Sequence, residues 1–397
     1  MKSISKKQNL TTAYAYIQGF FWMSFAAVMG FTSIYLLAAG FSNTEIGLLI
    51  AAAGIISAVL QPALASYADK PSSPSLKKIV IILTFVLLAS SALLVLFYQR
   101  SALFTGLFYG ACITVLQLLT PLVNALGMES INQGKSLNFG VSRGMGSVAY
   151  AIAAYVLGII VAKAGVLSIP VTMLLVYAVF LLVLFRFPFT KTKKAAARIE
   201  RQSSSPLVFF KRYKRFGIVL IGCSLLYISH VLLNSFTFQI VESKGGGSSE
   251  MGFAMALASM IELPTLFLFV SMVKKVRCDI WFRISGIFFM LKSLGSLFAP
   301  SIVPFYFVQL LQIGGWALIT VSSVYYVNSI MEEQDAIKGQ AYIAMTYTLG
   351  SVLGALIGGP LIDKAGVNTM LTFATVAAFV GMIIVLFASE RTPVPNK

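Results

Sequence analysis

The sequence predicts an all-α membrane protein, with twelve transmembrane helices in two parallel six-helix repeats and both termini in the cytoplasm. Three observations carry this expectation. The 397-residue chain is 58% hydrophobic and only 11% charged, with a mean hydropathy of +0.87, whereas soluble domains carry roughly 25% charged residues. Apolar runs of about 20 residues, each long enough to cross the ~30 Å hydrocarbon core as a helix, recur along the whole length. A segment of the first half also recurs in the second. Barrel strands would instead alternate over about 10 residues, and that pattern does not recur.

The spans follow in order. MKSISKKQN lacks the apolar core and small-residue cleavage site of a signal peptide, so 12–39 reads as the first span. Segments 44–68, 76–98, 102–126, 142–163 and 167–187 complete the first half. The basic stretch FPFTKTKKAAARIERQSSSPLVFFKRYKR (187–215) reads as a linker with a lipid-facing amphipathic part. Segments 216–241, 248–273, 279–299, 302–328, 338–362 and 366–389 make the second half. The expected organisation is therefore 1–187, linker 188–215, and 216–397. The repeat pairs GSVAYAIAAYVLGIIVAKAGV (146–166) with GSVLGALIGGPLIDKAGV (350–367), making the fifth and eleventh spans equivalent. Gly350, Gly354 and Gly358 are spaced for close helix crossing, expected at the seam between the halves, or for a hinge.

The net charge of +17 would suit nucleic acid, but its placement argues otherwise. With alternate loops assigned to one side, 25 of the 30 Lys and Arg fall on the side of the termini and 4 on the other, with Lys292 inside a span. That split follows the positive-inside rule for a cell-membrane protein and implies attraction to anionic lipid, not a nucleic-acid site.

Enzyme readings find no support. Gly140-Val141-Ser142-Arg143-Gly144 fits GxSxG, yet it opens a membrane helix, and the sole histidine, His230, lies in the other half. Gly134-Lys135-Ser136 resembles a phosphate loop, but the glycine needed five positions earlier is Glu129. Cys112, Cys223 and Cys278 are scattered and read as packing residues. No metal and no cofactor are expected.

The polar residues inside the spans carry the function. Glu262 and Lys292 sit near the middle of consecutive antiparallel spans, about 20 Å from opposite ends at 1.5 Å per residue, hence at matching depth. A charge at that depth costs roughly 2.5–3.5 kcal/mol and persists when it faces a cavity, pairs or binds something. A structural salt bridge and a functional coupling pair both fit. Desolvation favours a neutral carboxyl and a nearby ammonium favours an ionised one, and a proton switch needs that competition. His230 and Asn234 lie one turn apart, as an interior histidine or as part of a cavity or proton path. Gln309 and Gln312 suit hydrogen bonds to a polar substrate or to a neighbouring helix. Asp69 and Lys70, in LASYADKPSSPSLKK (64–78), read as a charged turn or a conformational latch. Arg143, opening the fifth span, suits snorkelling on residue type alone.

These segments resemble the major facilitator superfamily, and within it the oligosaccharide:proton symporters of the lactose permease type and the phenylpropionate permeases. Asp69 and Lys70 match the family's loop motif, without its glycines and arginine. In VSRGMGSVAYA (141–151), the resemblance puts Arg143 on the sugar-binding arginine and Tyr150 on the aromatic that stacks on the sugar ring. The family's fourth-helix carboxylate falls on Ala125, beside Asn124, so that acid is missing. IELPTLFLF puts Glu262 on the essential glutamate, and MLKSLGSLF puts Lys292 on the essential arginine. VQLLQIGGW puts Gln309, Gln312 and Gly315 on the family's lysine, histidine and proton-carrying glutamate.

The resulting expectation is a monomeric secondary transporter working by alternating access. Arg143, Tyr150, Asn124, Gln309 and Gln312 bind a small polar solute of the oligosaccharide or nucleoside type. Glu262, Lys292 and His230 serve proton coupling, and Asp69 with Lys70 forms the latch. An exporter of hydrophobic or aromatic compounds and a non-transporting receptor or scaffold are the alternatives.

Overall fold

The structure is a computed structural model describing residues 9–70, 72–98, 100–190 and 205–393, the side chains of Asp69 and Glu333 excepted. Every named element among them is helical. Ten helices are long and apolar enough to cross a membrane, or eleven when the bent pair Thr11–Gly30 and Thr32–Ala38 counts as one span. The elements are α1 (Thr11–Phe25), a π-helical turn Ala26–Gly30, α2 (Thr32–Ala38), α3 (Asn43–Asp69), α4 (Leu76–Leu96), α5 (Ala102–Asn132), α6 (Phe139–Ala164) and α7 (Ser168–Arg186). Then come α8 (Pro206–Arg212), α9 (Lys214–Ser235), α10 (Thr237–Ser243), α11 (Ser248–Lys275), α12 (Cys278–Phe298), α13 (Ile302–Gln309), a 3-10 turn Leu310–Ile313, α14 (Trp316–Ile330) and α15 (Glu333–Ala388). Half of the expected basic linker, 191–204, lies outside the described residues. Its last part forms α8, capped by the Ser205 side chain with Pro206 opening the helix.

Three spans expected to run unbroken are interrupted, and at each break a hydroxyl takes up carbonyls that the helix no longer bonds. In the first, Phe31 leaves helical geometry (φ −107°, ψ 12°), and Thr32 Oγ1 and Tyr109 OH both donate to Val28 O, at 2.7 and 2.8 Å. In the seventh, Phe236 does the same (φ −113°, ψ 27°), and Thr237 Oγ1 donates to Leu233 O and Asn234 O at 2.8 and 2.9 Å. In the tenth, Gly314 and Gly315 follow the 3-10 turn, and Thr265 Oγ1 donates to Ile313 O at 2.9 Å. Hydropathy cannot reveal such breaks, because the residues on both sides stay apolar. Inside a bilayer they persist only when the freed backbone groups find partners in the protein.

Local geometry recurs along the chain. The Phe-Thr break at 31–32 returns at 236–237, and glutamates one turn into α3 and α11 cap alike, with Ser42 N and Gly247 N each donating at 2.8 Å to Glu45 and Glu250. Within the sequence repeat, Gly165 (φ 79°, ψ 175°) and Gly366 (φ 81°, ψ 171°) share a left-handed conformation that side-chain-bearing residues rarely adopt. The helical run of α15 is therefore two helices meeting at Gly366.

The chain divides into two compact units: the residues up to 40 together with 52–190, and 41–51 together with 205–393. The first is centred on buried aromatics of α1, α5 and α7, among them Tyr14, Phe21, Tyr109, Tyr177 and Phe180. Lys77 Nζ closes its α7 end by donating to Phe185 O and Phe187 O at 3.0 and 2.7 Å. In the second, Phe282 and Tyr326 stack at 4.7 Å in a core shared by α9, α12, α14 and α15. Asp363 caps the start of α3, accepting from Asn43 N and Thr44 N at 3.2 and 2.7 Å and from the Asn43 Nδ2 and Thr44 Oγ1 groups at 2.8 and 2.6 Å.

The glycine row packs inside this second unit, against α9. A Cβ on Gly350 would come within 2.9 Å of the Tyr227 backbone carbon, and one on Gly354 within 3.1 Å of Ile228 O and 3.2 Å of Val231 Cβ. These glycines let the first part of α15 lie directly on α9. Gly354→Leu should overpack that crossing, at a cost of about 1–3 kcal/mol, and lower the thermal unfolding midpoint of the purified protein. An unchanged midpoint would refute the close crossing.

Candidate functional site

In the second unit, three spans bring their polar side chains together. Lys292 of α12 is 7% exposed and Gln312, on the 3-10 turn, 5%. Lys292 Nζ donates to Gln312 Oε1 at 2.6 Å, and Gln312 Nε2 donates to Glu262 Oε1 at 2.8 Å. One amide thus accepts from the cation and donates to the acid. A neutral side chain with both functions is what this position requires. The break makes the arrangement possible, because the 3-10 turn between α13 and α14 carries Gln312 while Thr265, one turn from Glu262 on α11, holds the loosened backbone.

Beside this chain lies an aromatic cluster. The His230 ring stacks on Trp316 at 4.4 Å and 2°, and meets Phe289 edge-on at 5.6 Å. Trp316 also contacts Tyr347 at 5.3 Å and Tyr227 at 6.1 Å. Asn234 Nδ2 donates to His230 O at 2.7 Å, fastening the turn before the Phe236 break. Ser229 and Ser293 hydroxyls share a hydrogen bond of 2.6 Å, joining α9 and α12 next to Lys292. Tyr347 remains exposed although it sits mid-helix in an apolar span, and Asn234 is exposed in the last turn of α9 before the break. Exposed polar groups at that depth belong on a cavity wall.

The first unit carries a second constellation. The Arg143 guanidinium lies 4.0 Å over the Trp22 ring and Nη1 reaches Ser147 Oγ at 3.5 Å. This is a cation–π contact. Trp22 Nε1 donates to Gln18 Oε1 at 3.1 Å, and Gln18 Nε2 donates to Asn124 Oδ1 at 3.2 Å and to Tyr14 OH at 2.7 Å. Tyr14 OH in turn donates to Val123 O at 2.9 Å. Arg143 is thereby linked through α1 to Asn124 on α5. Tyr150, two turns beyond Arg143 and half-buried, shares the face of α6 that carries Arg143 and Ser147.

The sequence-predicted residues thus fall into separate groups. Glu262, Lys292 and Gln312 meet directly. His230 joins the aromatic cluster of the same unit. Arg143 and Asn124 meet through Trp22 and Gln18. Gln309 is buried at the end of α13, while Gln312 makes the Lys292–Glu262 link. Lys70 is exposed at the end of α3, its carbonyl accepting from Ser73 Oγ at 2.7 Å, and the Asp69 side chain lies outside the described residues. Gln18, Trp22, Trp316 and Tyr347 were missed. Gln18 was the findable one, since an amide buried four residues before a tryptophan in an apolar span is itself a polar anomaly.

A family model described as the MFS_1 like family matches residues 12–375. The chain belongs to that family. Maltose permease of Geobacillus stearothermophilus is 21% identical over 383 residues, covering 93% of this chain and 92% of that protein. The crystal structure of the nucleoside transporter NupG aligns with a TM-score of 0.75 at 16% identity, over 94% of this chain and 96% of that one. A POT family transporter in complex with 5-aminolevulinic acid aligns at 0.72 and 11% identity, over 94% of each chain. These structural likenesses establish the fold. As an MFS_1-like protein, the chain is a multi-pass membrane transporter of the secondary class.

Two substitutions probe the constellations. Gln312→Leu removes the hydrogen-bond acceptor of a buried ammonium, and leaving such a group unsatisfied costs about 1–3 kcal/mol or more. Thermal unfolding should show the loss, with recovery in the Gln312→Leu, Lys292→Met double variant. A double variant no more stable than the single one would rule out a stranded charge as the cause. Arg143→Lys keeps the charge but loses the planar stack on Trp22. It should lower substrate uptake at least several-fold while leaving the unfolding midpoint near that of the parent. Unaltered uptake would remove Arg143 from the binding surface.

Proposed function

We propose that this MFS_1-like chain is a proton-coupled symporter of an uncharged, hydroxyl-rich solute, a sugar or a nucleoside, in the cytoplasmic membrane. The observation that carries this reading is the Lys292–Gln312–Glu262 chain on a broken helix. A cation and an acid held through a neutral amide can exchange that amide for solute hydroxyls, which also donate and accept. Protonating Glu262 weakens its hold on the Gln312 amide and frees the amide and Lys292 for solute. Losing the proton restores the chain and ejects the solute. Arg143, Tyr150, Asn124 and Gln309 bind the other parts of the solute, His230 lines the proton path, and Asp69 with Lys70 latches one conformation.

The architecture belonging to this reading is twelve spans in two parallel six-helix repeats, alternating access between them. The left-handed break at Gly366 supports counting α15 as two spans, and the bent first pair as one. Recurrence of the Phe-Thr break, the glutamate caps and the Gly165/Gly366 geometry supports the repeat. The distribution of Lys and Arg supports cytoplasmic termini. Maltose permease and NupG, a sugar and a nucleoside transporter by name, support the solute class. Export of aromatic compounds is the second reading, favoured by the cluster of His230, Trp316, Tyr227 and Tyr347.

Uptake of radiolabelled maltose and uridine into proteoliposomes, with and without an imposed proton gradient, tests the proposal. One of the two should accumulate only with the gradient outside-acid. Glu262→Gln should abolish that accumulation while leaving gradient-free exchange. Accumulation by the variant equal to the parent's would exclude Glu262 from coupling, and export of planar aromatic compounds alone would favour the second reading.

A further inference from the structure

Apart from transport, we infer that the end of the second unit where α9 begins binds a phosphate-bearing anion, either the headgroup of an anionic phospholipid or free phosphate. A cavity of about 430 Å3 opens there, lined by Arg215, Arg283, Arg391 and Glu390, with Phe387 at its rim. Three guanidinium groups against one carboxylate leave the lining with an excess of two positive charges. The wall is built rather than incidental. Arg215 Nη2 donates to Phe387 O at 3.2 Å and Arg283 Nη2 to Ser389 O at 2.6 Å, so the arginines are oriented by the last turn of α15 and the chain end that follows it. That chain end is itself fastened, because Glu390 N donates to Tyr326 OH at 2.9 Å and Thr392 Oγ1 to Asp279 Oδ1 at 2.9 Å.

Donor capacity remains after these bonds. Arg283 Nε is buried and makes no hydrogen bond within the protein. Planar guanidinium forks match the oxygens of a phosphate better than those of a single carbonyl. Asp279 lies 3.6 Å from Arg283 but is engaged closely by Arg277 at 3.0 Å, so it neutralises Arg283 incompletely.

The surroundings suit a lipid. Phe387, which lines the cavity, is 77% exposed. An exposed aromatic side chain at a basic pocket fits acyl chains below an anionic headgroup.

Native mass spectrometry of the full-length protein in neutral detergent tests the site, using phosphatidylglycerol, chain-matched phosphatidylcholine and inorganic phosphate as probes. Phosphatidylglycerol should be retained about tenfold or more over phosphatidylcholine, from the attraction of roughly two unpaired charges. The Arg215→Ala, Arg391→Ala double variant should lose that preference. Arg391→Ala alone, whose side chain makes none of the bonds fastening the chain end, should lose part of it and guards against misfolding of the double variant. Displacement of phosphatidylglycerol by millimolar phosphate, with phosphate alone raising the unfolding midpoint, would identify free phosphate as the ligand. Retention against phosphate would identify the lipid. Equal binding of the two lipids by the parent, or an undiminished preference in Arg391→Ala and the double variant, would overturn the inference.

Discussion

A lysine ammonium buried at bilayer depth is the constraint on which this structure turns. Lys292 cannot be left without an acceptor there, and the acceptor it has, Gln312 Oε1, is carried by a helix that had to break to present it. The break needs Gly314 and Gly315, and Thr265 takes the Ile313 carbonyl it frees. Thr265 is also three positions from Glu262, so the residue that repairs the backbone and the acid that ends the polar chain come from one turn of α11. Cation, amide, acid and helix break form one solution to the cost of burying charge.

The two units solve their polar problems differently. In the first, a permanently charged guanidinium is spread over an indole face and tied through two amides to α5, an arrangement with no acid in it. In the second, an ammonium and a carboxylate compete for one amide. Under the proposed function, that asymmetry assigns recognition to both units and coupling to the second. It arises on a backbone whose breaks, caps and left-handed glycines recur between the same pairs of positions.

Much of this was legible in the sequence. Apolar length marks the helices, the KAGV recurrence marks Gly165 and Gly366, and two charges at equal depth mark the partners Glu262 and Lys292. What escaped has physical reasons. Helix breaks at Phe31, Phe236 and Gly314 leave hydropathy unchanged, because their signature is a hydroxyl on a backbone carbonyl and not a change of composition. Gln312 looked like a substrate ligand, and its place between the two charges depends on the 3-10 turn that aims it. The glycine row marked a close crossing, and spacing alone cannot say that α9 is the helix that lies against it. Trp22 and Trp316 were hidden among many aromatic residues until their partners, Arg143 and His230, were in place.

The central claim is that Glu262 changes protonation as solute replaces the amide between it and Lys292. Infrared difference spectroscopy of the membrane-reconstituted protein, with and without bound solute, reads that change through the carboxyl C=O stretch. The account predicts a solute-induced carboxyl band that vanishes in Glu262→Gln and shifts in Gln312→Ala. A carboxyl band that survives in Glu262→Gln, or bound solute with no carboxyl change at all, would contradict it.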